Sequence, residues 1–367
     1  MPEFETVKKP PKTKKKQTVA QSLFPCKGDS VGEIIRKIVF LTAIFVLIGT
    51  TACVLYFYLI RPVNIDKEAE NLSNLRGEAN SGVISIPIKV TNSNGETEQK
   101  EVTVLKEYEE YIKLNDETVG YLEIYPHVRS PIVQTTDNDF YLHNNFYKEP
   151  TENGTLFADY EVPITVDSTP PNTIIYGHNL RTNNMFKPLL QYKHNGIEFL
   201  KDNYLINYDT IYKKNQYLIF AVMEVNTSSK WGETFPFQNY VTFDSKDEFN
   251  YFVSECLDRS YYYTGIDLQY GDELLTLSTC DFSLFSDDVR LVVVARKVRD
   301  DESSILDTDK FIDNTGFDEN GNSKRRMFEA YYRIYGSSTT WGGRNWDTSW
   351  IKDFKDEEKE DVNSAEE

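Results

Sequence analysis

The chain has 367 residues, a net charge of −18 and 40% hydrophobic residues. It is long enough for one large domain or two small ones with a buried core. The acidic balance argues against nucleic acid as a partner, because phosphates would be repelled. The 22 phenylalanines and 24 tyrosines favour a β-rich body.

The N-terminal residues have the opposite charge. Residues 1–37 contain nine lysines and arginines against four acidic residues, and their composition is typical of a disordered basic tail. Residues 38–60, IVFLTAIFVLIGTTACVLYFYLI, contain no charged residue. As a helix this run measures about 34 Å, which exceeds a bilayer core of about 30 Å. The sequence therefore predicts a single transmembrane anchor with a cytoplasmic N-terminus and an exported acidic body.

A cleaved signal peptide is the alternative interpretation of this apolar run. It is disfavoured because the run is longer than the apolar part of a signal peptide, about 7–15 residues, and no small-x-small cleavage site follows it.

Residues 61–105 predict a stalk followed by an inserted hairpin. The polar residues 66–80 are compatible with a helix above the membrane. Residues 83–105 alternate between apolar and polar on either side of Asn94-Gly95, a dipeptide typical of tight hairpin turns. Residues 106–114 predict a short helix.

From Val119 onward the pattern changes to short β segments separated by turn residues. Eight strands are predicted, at 119–125, 131–134, 155–159, 173–177, 204–211, 216–226, 273–279 and 290–298. Two helices interrupt them. One spans 184–200, and the other begins at Asp244-Ser245, where Glu248 completes a predicted capping box.

The body contains two of the four cysteines, since Cys26 lies in the basic tail and Cys53 in the apolar run. No disulfide framework is predicted. Cys256 falls on the apolar face of the second helix, so it is predicted to be a small buried hydrophobe. Cys280 ends the apolar strand LLTLSTC. Taken alone it fits a core residue as well as a nucleophile, but its polar neighbours favour a reactive site.

Two further residues could support thiol chemistry. Arg290 begins the strand RLVVVAR, where its planar donors could bind an oxyanion. Alternatively it caps the strand and pairs with Asp287 or Asp288, an interpretation that suits Arg296 better. His178 follows the strand TIIYG, which places it either in a cleft or in an exposed loop. The remaining histidines are predicted to lie on the surface: His127, His143 and His194.

No HExxH, CxxC or glycine-rich phosphate loop occurs in the chain. The sequence therefore predicts neither a metal site nor a cofactor.

Taken together, the motifs around these residues resemble the class B sortases. The resemblance rests on TLSTC at 276–280, YGHN at 176–179 and RLVVVAR at 290–296. It extends upstream to NDETVGYLEIY, DNDFYL and GTLFAD, and covers residues 106–299. It implies a mainly β fold on the outer face of a Gram-positive cell, an eight-stranded sortase-type β-barrel with flanking helices preceded by an N-terminal transmembrane helix.

The resemblance also implies a cysteine transpeptidase. Cys280 would attack the threonine carbonyl of a Leu-Pro-x-Thr-Gly or Asn-Pro-x-Thr-x sorting signal carried by a surface protein or a pilin. Arg290 would bind the oxyanion, and His178 would protonate the leaving amine. The acyl group would pass to an amine of a peptidoglycan precursor or of a pilin. The same resemblance places five residues along the substrate groove: Asn138, Leu142, Tyr176, Ser278 and Asp281.

The chain departs from the family pattern in two places, the hairpin within 61–105 and the acidic extension 300–367. The aromatic part of the extension, with Trp341, Trp346 and Trp350, is predicted to dock on the barrel or on a partner. Two other functions remain open. One is an inactive surface or pilus-associated binding module, and the other is a plain cysteine endopeptidase in which water resolves the thioester. The joint presence of His178, Cys280 and Arg290 favours an enzyme.

Overall fold

The chain divides into two compact units, residues 1–65 and 66–367. The first unit is helical. Helix α1 (Val19–Leu23) begins at Thr18 and α2 (Val31–Leu55) at Ser30, whose hydroxyl accepts a hydrogen bond from Glu33 N. The computed structural model describes residues 18–76, 82–91, 97–166, 170–180, 184–229, 234–281 and 288–315.

One N-terminal helical segment is long and apolar enough to cross a membrane. A π-helical turn (Tyr56–Ile60) and α3 (Arg61–Asn74) follow α2 directly, so helical structure continues from Val31 to Asn74. The most apolar part of this segment is not buried by the rest of the described protein. An exposed apolar helix of this length suits an apolar surrounding such as a lipid bilayer. The predicted span at 38–60 lies within this segment, which is compatible with a single-pass anchor.

The predicted hairpin is confirmed. Strands β1 (Val83–Thr91) and β2 (Thr97–Leu105) pair antiparallel, while the turn at Asn94-Gly95 falls outside the described residues. A 3₁₀ turn (Lys106–Tyr108) and α4 (Glu109–Leu114) follow, as predicted for residues 106–114. The hairpin forms part of a core, because side chains from β2, the 3₁₀ turn and α4 are buried in one apolar cluster: Val102, Val104, Tyr108, Tyr111 and Ile112.

Eight strands close into a barrel, which confirms the predicted fold class. They are β3 (Thr118–Ile124), β4 (Val128–Val133), β5 (Phe157–Ala158), β6 (Asn172–Tyr176), β7 (Leu205–Thr210), β8 (Gln216–Asn226), β10 (Leu274–Cys280) and β11 (Val289–Lys297). The strand order around the barrel is β10-β11-β8-β7-β3-β4-β5-β6. Strand β10 lies between β11, its antiparallel partner, and β6, which runs parallel to it.

The helix predicted over 184–200 is broken into three pieces. A 3₁₀ turn (Lys187–Leu190) leads into α5 (Gln191–His194) and then α6 (Gly196–Asp202). The break falls at Gly196, whose φ of +72° interrupts the helix. The second predicted helix, α7 (Lys246–Arg259), is continuous and begins at the predicted Ser245 cap, where Glu248 N donates to the serine hydroxyl at 3.2 Å.

The two faces of β10 and β11 contribute to different cores. Alternate side chains pack inside the barrel: Leu275, Leu277, Leu291, Val293 and Ala295. The others pack outside it against α7: Leu274, Val292 and Val294. Cys256 of α7 is fully buried in this outer cluster, as predicted, and burial raises the pKa of its thiol.

The chain beyond β11 begins by packing on the barrel. Arg296 is fully buried and makes two hydrogen bonds of 2.6 Å to Glu302, which is its acidic partner, while Asp287 lies outside the described residues. Phe311 is buried in the barrel core, and β12 (Ile312–Asp313) pairs with β9 (Tyr262–Tyr263). The predicted docking of Trp341, Trp346 and Trp350 lies outside the described residues.

Candidate active site

Cys280 and Arg290 face each other across two strands. Strand β10 ends at Cys280 and β11 begins at Val289, and the register pairs Cys280 directly with Arg290. Residues paired this way have Cα atoms about 5 Å apart and side chains on the same face of the sheet. Both residues are half-buried. The fold therefore places the predicted thiol and guanidinium together.

The same face continues across β10 to β6. Ser278, two residues before Cys280, shares its face and pairs with Tyr176 in the parallel ladder. This is the outer face of the barrel, since Val292, the partner of Ser278 on β11, packs in the outer cluster. Ser278 is buried and Tyr176 half-buried. The two predicted groove residues thus lie on the face that carries Cys280.

His178 is held next to this face by its neighbours in the chain. Gly177 N donates to Ser278 O at 3.2 Å, and Asn179 Nδ2 donates to Cys280 O at 2.9 Å. The residues before and after the histidine are therefore both bonded to β10. This pairing brings His178 to the same end of the barrel as Cys280.

The His178 ring makes one contact that fixes its tautomer. Nε2 lies 2.9 Å from the Leu142 carbonyl oxygen. A carbonyl oxygen only accepts, so Nε2 carries the hydrogen. Nδ1 is then the ring nitrogen that can accept a hydrogen bond. The predicted groove residue Leu142, half-buried, contacts the histidine through its backbone.

Two glycines near His178 are closely packed, one against the histidine ring and the other against apolar side chains. A Cβ at Gly154 would lie 3.0 Å from His178 Cδ2 and 2.9 Å from the Leu142 carbonyl. A Cβ at Gly177 would lie 2.2 Å from Leu156 Cδ2. Any larger residue at either position would displace its neighbours. Sequence reasoning did not single out these glycines, although both lie within the quoted motifs GTLFAD and YGHN.

Asp159 connects two of the predicted groove residues. Its Oδ2 accepts from Tyr176 Oη at 2.8 Å and from Asn138 Nδ2 at 2.9 Å. Burial and the charge of Asp159 raise the pKa of Tyr176, and the opposing effect of Arg290 is smaller, so the phenol stays protonated. Asp159 is itself buried. It was missed as a site residue, although it ends the motif GTLFAD.

Asp281, which the resemblance places along the groove, is buried and held by an ion pair. It is 1% exposed, and its Oδ2 accepts from Lys193 Nζ at 2.8 Å. The same ammonium contacts Glu224, to which Tyr261 donates a hydrogen bond. Burial alone would lower the pKa of Lys193, but the two carboxylates outweigh it and raise this pKa above its usual value. Nothing in the sequence pattern pointed to Lys193.

The arrangement suits acyl transfer, because it combines a nucleophile, a donor for an oxyanion and a proton carrier at one end of a rigid barrel. Among the side chains that the structure describes, no group of three His, Cys, Asp or Glu could hold a metal ion.

Comparison with known proteins identifies the family of this chain. No family model matches the chain. It is 32% identical over 209 residues to sortase B of Listeria monocytogenes, covering 57% of this chain and 78% of that protein. Sortase B of Staphylococcus aureus is 26% identical over 197 residues, covering 53% and 76%. A crystal structure of Bacillus anthracis sortase B in complex with AAEK2 superposes with a TM-score of 0.50 at 28% identity, covering 65% of this chain and 97% of that one. The chain belongs to the class B sortase family.

Proposed function

We propose that this sortase is a membrane-anchored cysteine transpeptidase in which Cys280, His178 and Arg290 perform the reaction. The observation that carries the proposal is the direct pairing of Cys280 with Arg290, at the barrel end to which the chain around His178 is bonded. Family membership supports transpeptidase chemistry in general, and this geometry supports these three residues in particular.

In the first step the Cys280 thiolate attacks the threonine carbonyl of a sorting signal. The C–S bond forms, and the carbonyl oxygen becomes an oxyanion. Arg290 donates to this oxyanion. Its Nη1 bond to the Val289 carbonyl, at 3.2 Å, helps to hold the guanidinium at the start of β11.

His178 then acts as the acid. The C–N bond after threonine breaks, and Nδ1 of the imidazolium gives its proton to the leaving amine. In the second step an acceptor amine attacks the thioester and gives a proton to Nδ1. The C–S bond breaks and regenerates the thiolate. The Leu142 carbonyl keeps Nε2 as a donor throughout.

The substrate groove is proposed to run along the outer face of β6 and β10. Tyr176 and Asn138 would line it, held in place by Asp159, and Leu142 would border it beside the histidine. Ser278 is 3% exposed and Asp281 1% exposed. These two residues would support the groove from below.

The apolar helix is proposed to anchor the chain with residues 1–37 in the cytoplasm and residues 106–299, the catalytic barrel, outside the cell. Lys37 and the lysines before it support this orientation through the positive-inside tendency. Residues 61–105 would raise the barrel above the membrane, and 300–367 would form an extension. The donors would be surface proteins or pilins that carry a sorting signal, and the acceptor an amine of a peptidoglycan precursor or a pilin.

A transfer assay tests this proposal. The full chain in detergent is incubated with sorting-signal peptides of both kinds plus glycine oligomers or lysine-bearing peptides, and the products are identified by mass spectrometry. We expect a ligated product, lost in Cys280→Ala and retained in Cys256→Ala. Cleavage without ligation would instead indicate an endopeptidase. Binding without cleavage would indicate a binding module.

A further inference from the structure

We propose that Lys193 is a positioning residue for Cys280. Its ammonium joins Glu224 on β8 to Asp281, the residue that follows the nucleophile, and so fixes the end of β10. This inference rests on the proposed role of Cys280 and adds a residue that neither the motifs nor the comparisons assign.

The bridge is almost closed to water. The side chains of Glu224 and Asp281 are each 2% exposed and that of Lys193 is 14% exposed. Lys193 lies on α5, Glu224 on β8 and Asp281 just after β10, and Tyr261, just after α7, donates to Glu224. These contacts join distant segments of the chain, so the bridge fixes tertiary geometry and not only a local turn.

The bridge acts at the point where the chain leaves β10. Asn179 Nδ2 holds the carbonyl of Cys280, and Asp281 N donates to Val289 O at 2.9 Å. The contact of the Asp281 side chain with Lys193 adds a third attachment within two residues. The described strand ends here, so the position of the thiol depends on how firmly residue 281 is held.

The bridge also sets the net charge of the buried groups near the Cys280 thiol. One ammonium stands between two carboxylates, which leaves one negative charge in excess. Among the described residues, the ionisable groups at this end of the barrel include Lys193, Glu224, Tyr261 and Asp281 in the network and His178, Arg290, Tyr176 and Asp159 on the Cys280 side. Loss of the ammonium would leave two buried carboxylates next to Cys280, and their charge would oppose formation of the thiolate.

Three variants separate position from charge. Lys193→Met removes the bridge and the positive charge. Lys193→Arg keeps both. Lys193→Met combined with Asp281→Asn removes the bridge but retains one excess negative charge, on Glu224. Arg296→Met is the matched control, because it breaks a buried ion pair at the opposite end of the same two strands.

The readouts are the rate at which iodoacetamide alkylates Cys280, measured by peptide mass spectrometry across pH, and kcat and KM for transfer, all with the full chain in detergent. For Lys193→Met we expect alkylation about tenfold slower at neutral pH, with the profile moved to higher pH, and a lower kcat at little changed KM. The double variant should restore much of the alkylation profile but not kcat. Lys193→Arg should keep most of the alkylation profile and most of kcat. Arg296→Met should lower thermal stability and leave alkylation of Cys280 and kcat unchanged.

Wild-type alkylation and kcat in folded Lys193→Met would overturn the proposal, as would an equal loss in Arg296→Met. If Lys193→Met does not fold, the double variant is the test. A wild-type kcat in the double variant would then overturn the proposal. Failure of the wild-type chain to ligate peptides would contradict the proposed function instead, and the alkylation profile would still test Lys193.

Discussion

Two thiols in the same domain have opposite surroundings. Cys256 is fully buried among aromatic side chains, and burial raises the pKa of its thiol, so it stays protonated at physiological pH. Cys280 is half-buried at a strand end opposite a guanidinium. A positive neighbour and partial access are the conditions under which a cysteine becomes reactive. The fold thus gives Cys256 the surroundings of a structural cysteine and Cys280 those expected of the proposed nucleophile.

The contact between Gly154 and His178 gives a prediction at the residue scale. In Gly154→Ala the new methyl group would meet the Leu142 carbonyl and the His178 ring together. Since that carbonyl orients the imidazole, the ring must move. A small displacement of a reacting group is costly, so we expect kcat/KM for transfer to fall by about 10- to 100-fold. Steady-state kinetics with the peptide pair that gives the highest ligation yield would measure this.

Gly196→Ala is the control for that substitution. Gly196 has a similar positive φ, +72° against +61° for Gly154, but a Cβ there would meet nothing within 4 Å. Both substitutions therefore carry comparable backbone strain, and only one touches the histidine. Equal losses of activity in the two variants would contradict the assigned contact.

At the scale of the elements, the β10–β11 ladder carries the proposed catalytic pair at one end and an arginine of a buried ion pair at the other. Cys280 pairs with Arg290 at one end of the ladder, and Leu274 pairs with Arg296 at the other end. Arg296 is fully buried, and its partner Glu302 belongs to the extension. The extension is thus fixed to the strand that also carries Arg290, the proposed oxyanion donor.

This ion pair predicts a pH-dependent contribution to stability. The hydrogen bond from Arg296 lowers the pKa of Glu302 below its usual value. A carboxyl whose pKa is depressed by folding adds stability above its unfolded pKa and loses it as the pH falls through the folded one. Glu302→Gln should therefore lower the melting temperature by about 2–4 °C at neutral pH. The difference should shrink towards about pH 3. A difference that is constant with pH, measured by calorimetry, would contradict this assignment.

The strands were more predictable than the helices. Each of the eight predicted strands overlaps a strand of the barrel, because the fixed two-residue period of a strand shows even in a short segment. The helix predicted over 184–200 was wrong in its continuity. Its apolar spacing continues across the break, and the pattern gave no weight to Gly196, whose positive φ interrupts the helix.

Only the site residues that lie within the recognised motifs could be predicted from the sequence. His178, Cys280 and Arg290 lie in recognisable strand-end segments, whereas Lys193 lies in a short helix whose sequence suggests a surface. Its contacts, Glu224 and Asp281, are distant in the sequence. Only the closed barrel brings these side chains together, so local patterns could not identify the bridge.

At the scale of the whole molecule, charge follows the proposed topology. The basic N-terminal residues precede the apolar helix and the acidic residues follow it, so the proposed orientation leaves the positive segment in the cytoplasm and the negative body outside. An anchored enzyme meets substrates that are themselves held at the membrane or wall. The high local concentration of the substrates then compensates for a slow rate of encounter between enzyme and substrate.

The central claim is that Cys280 carries the acyl group between two substrates. The most direct measurement is peptide mapping of the full chain after a rapid acid quench, with a sorting-signal peptide present and no acceptor amine. The account predicts a thioester on Cys280, none on Cys256, and its disappearance when the acceptor amine is added. An acyl group on another residue, or ligation by Cys280→Ala, would contradict it.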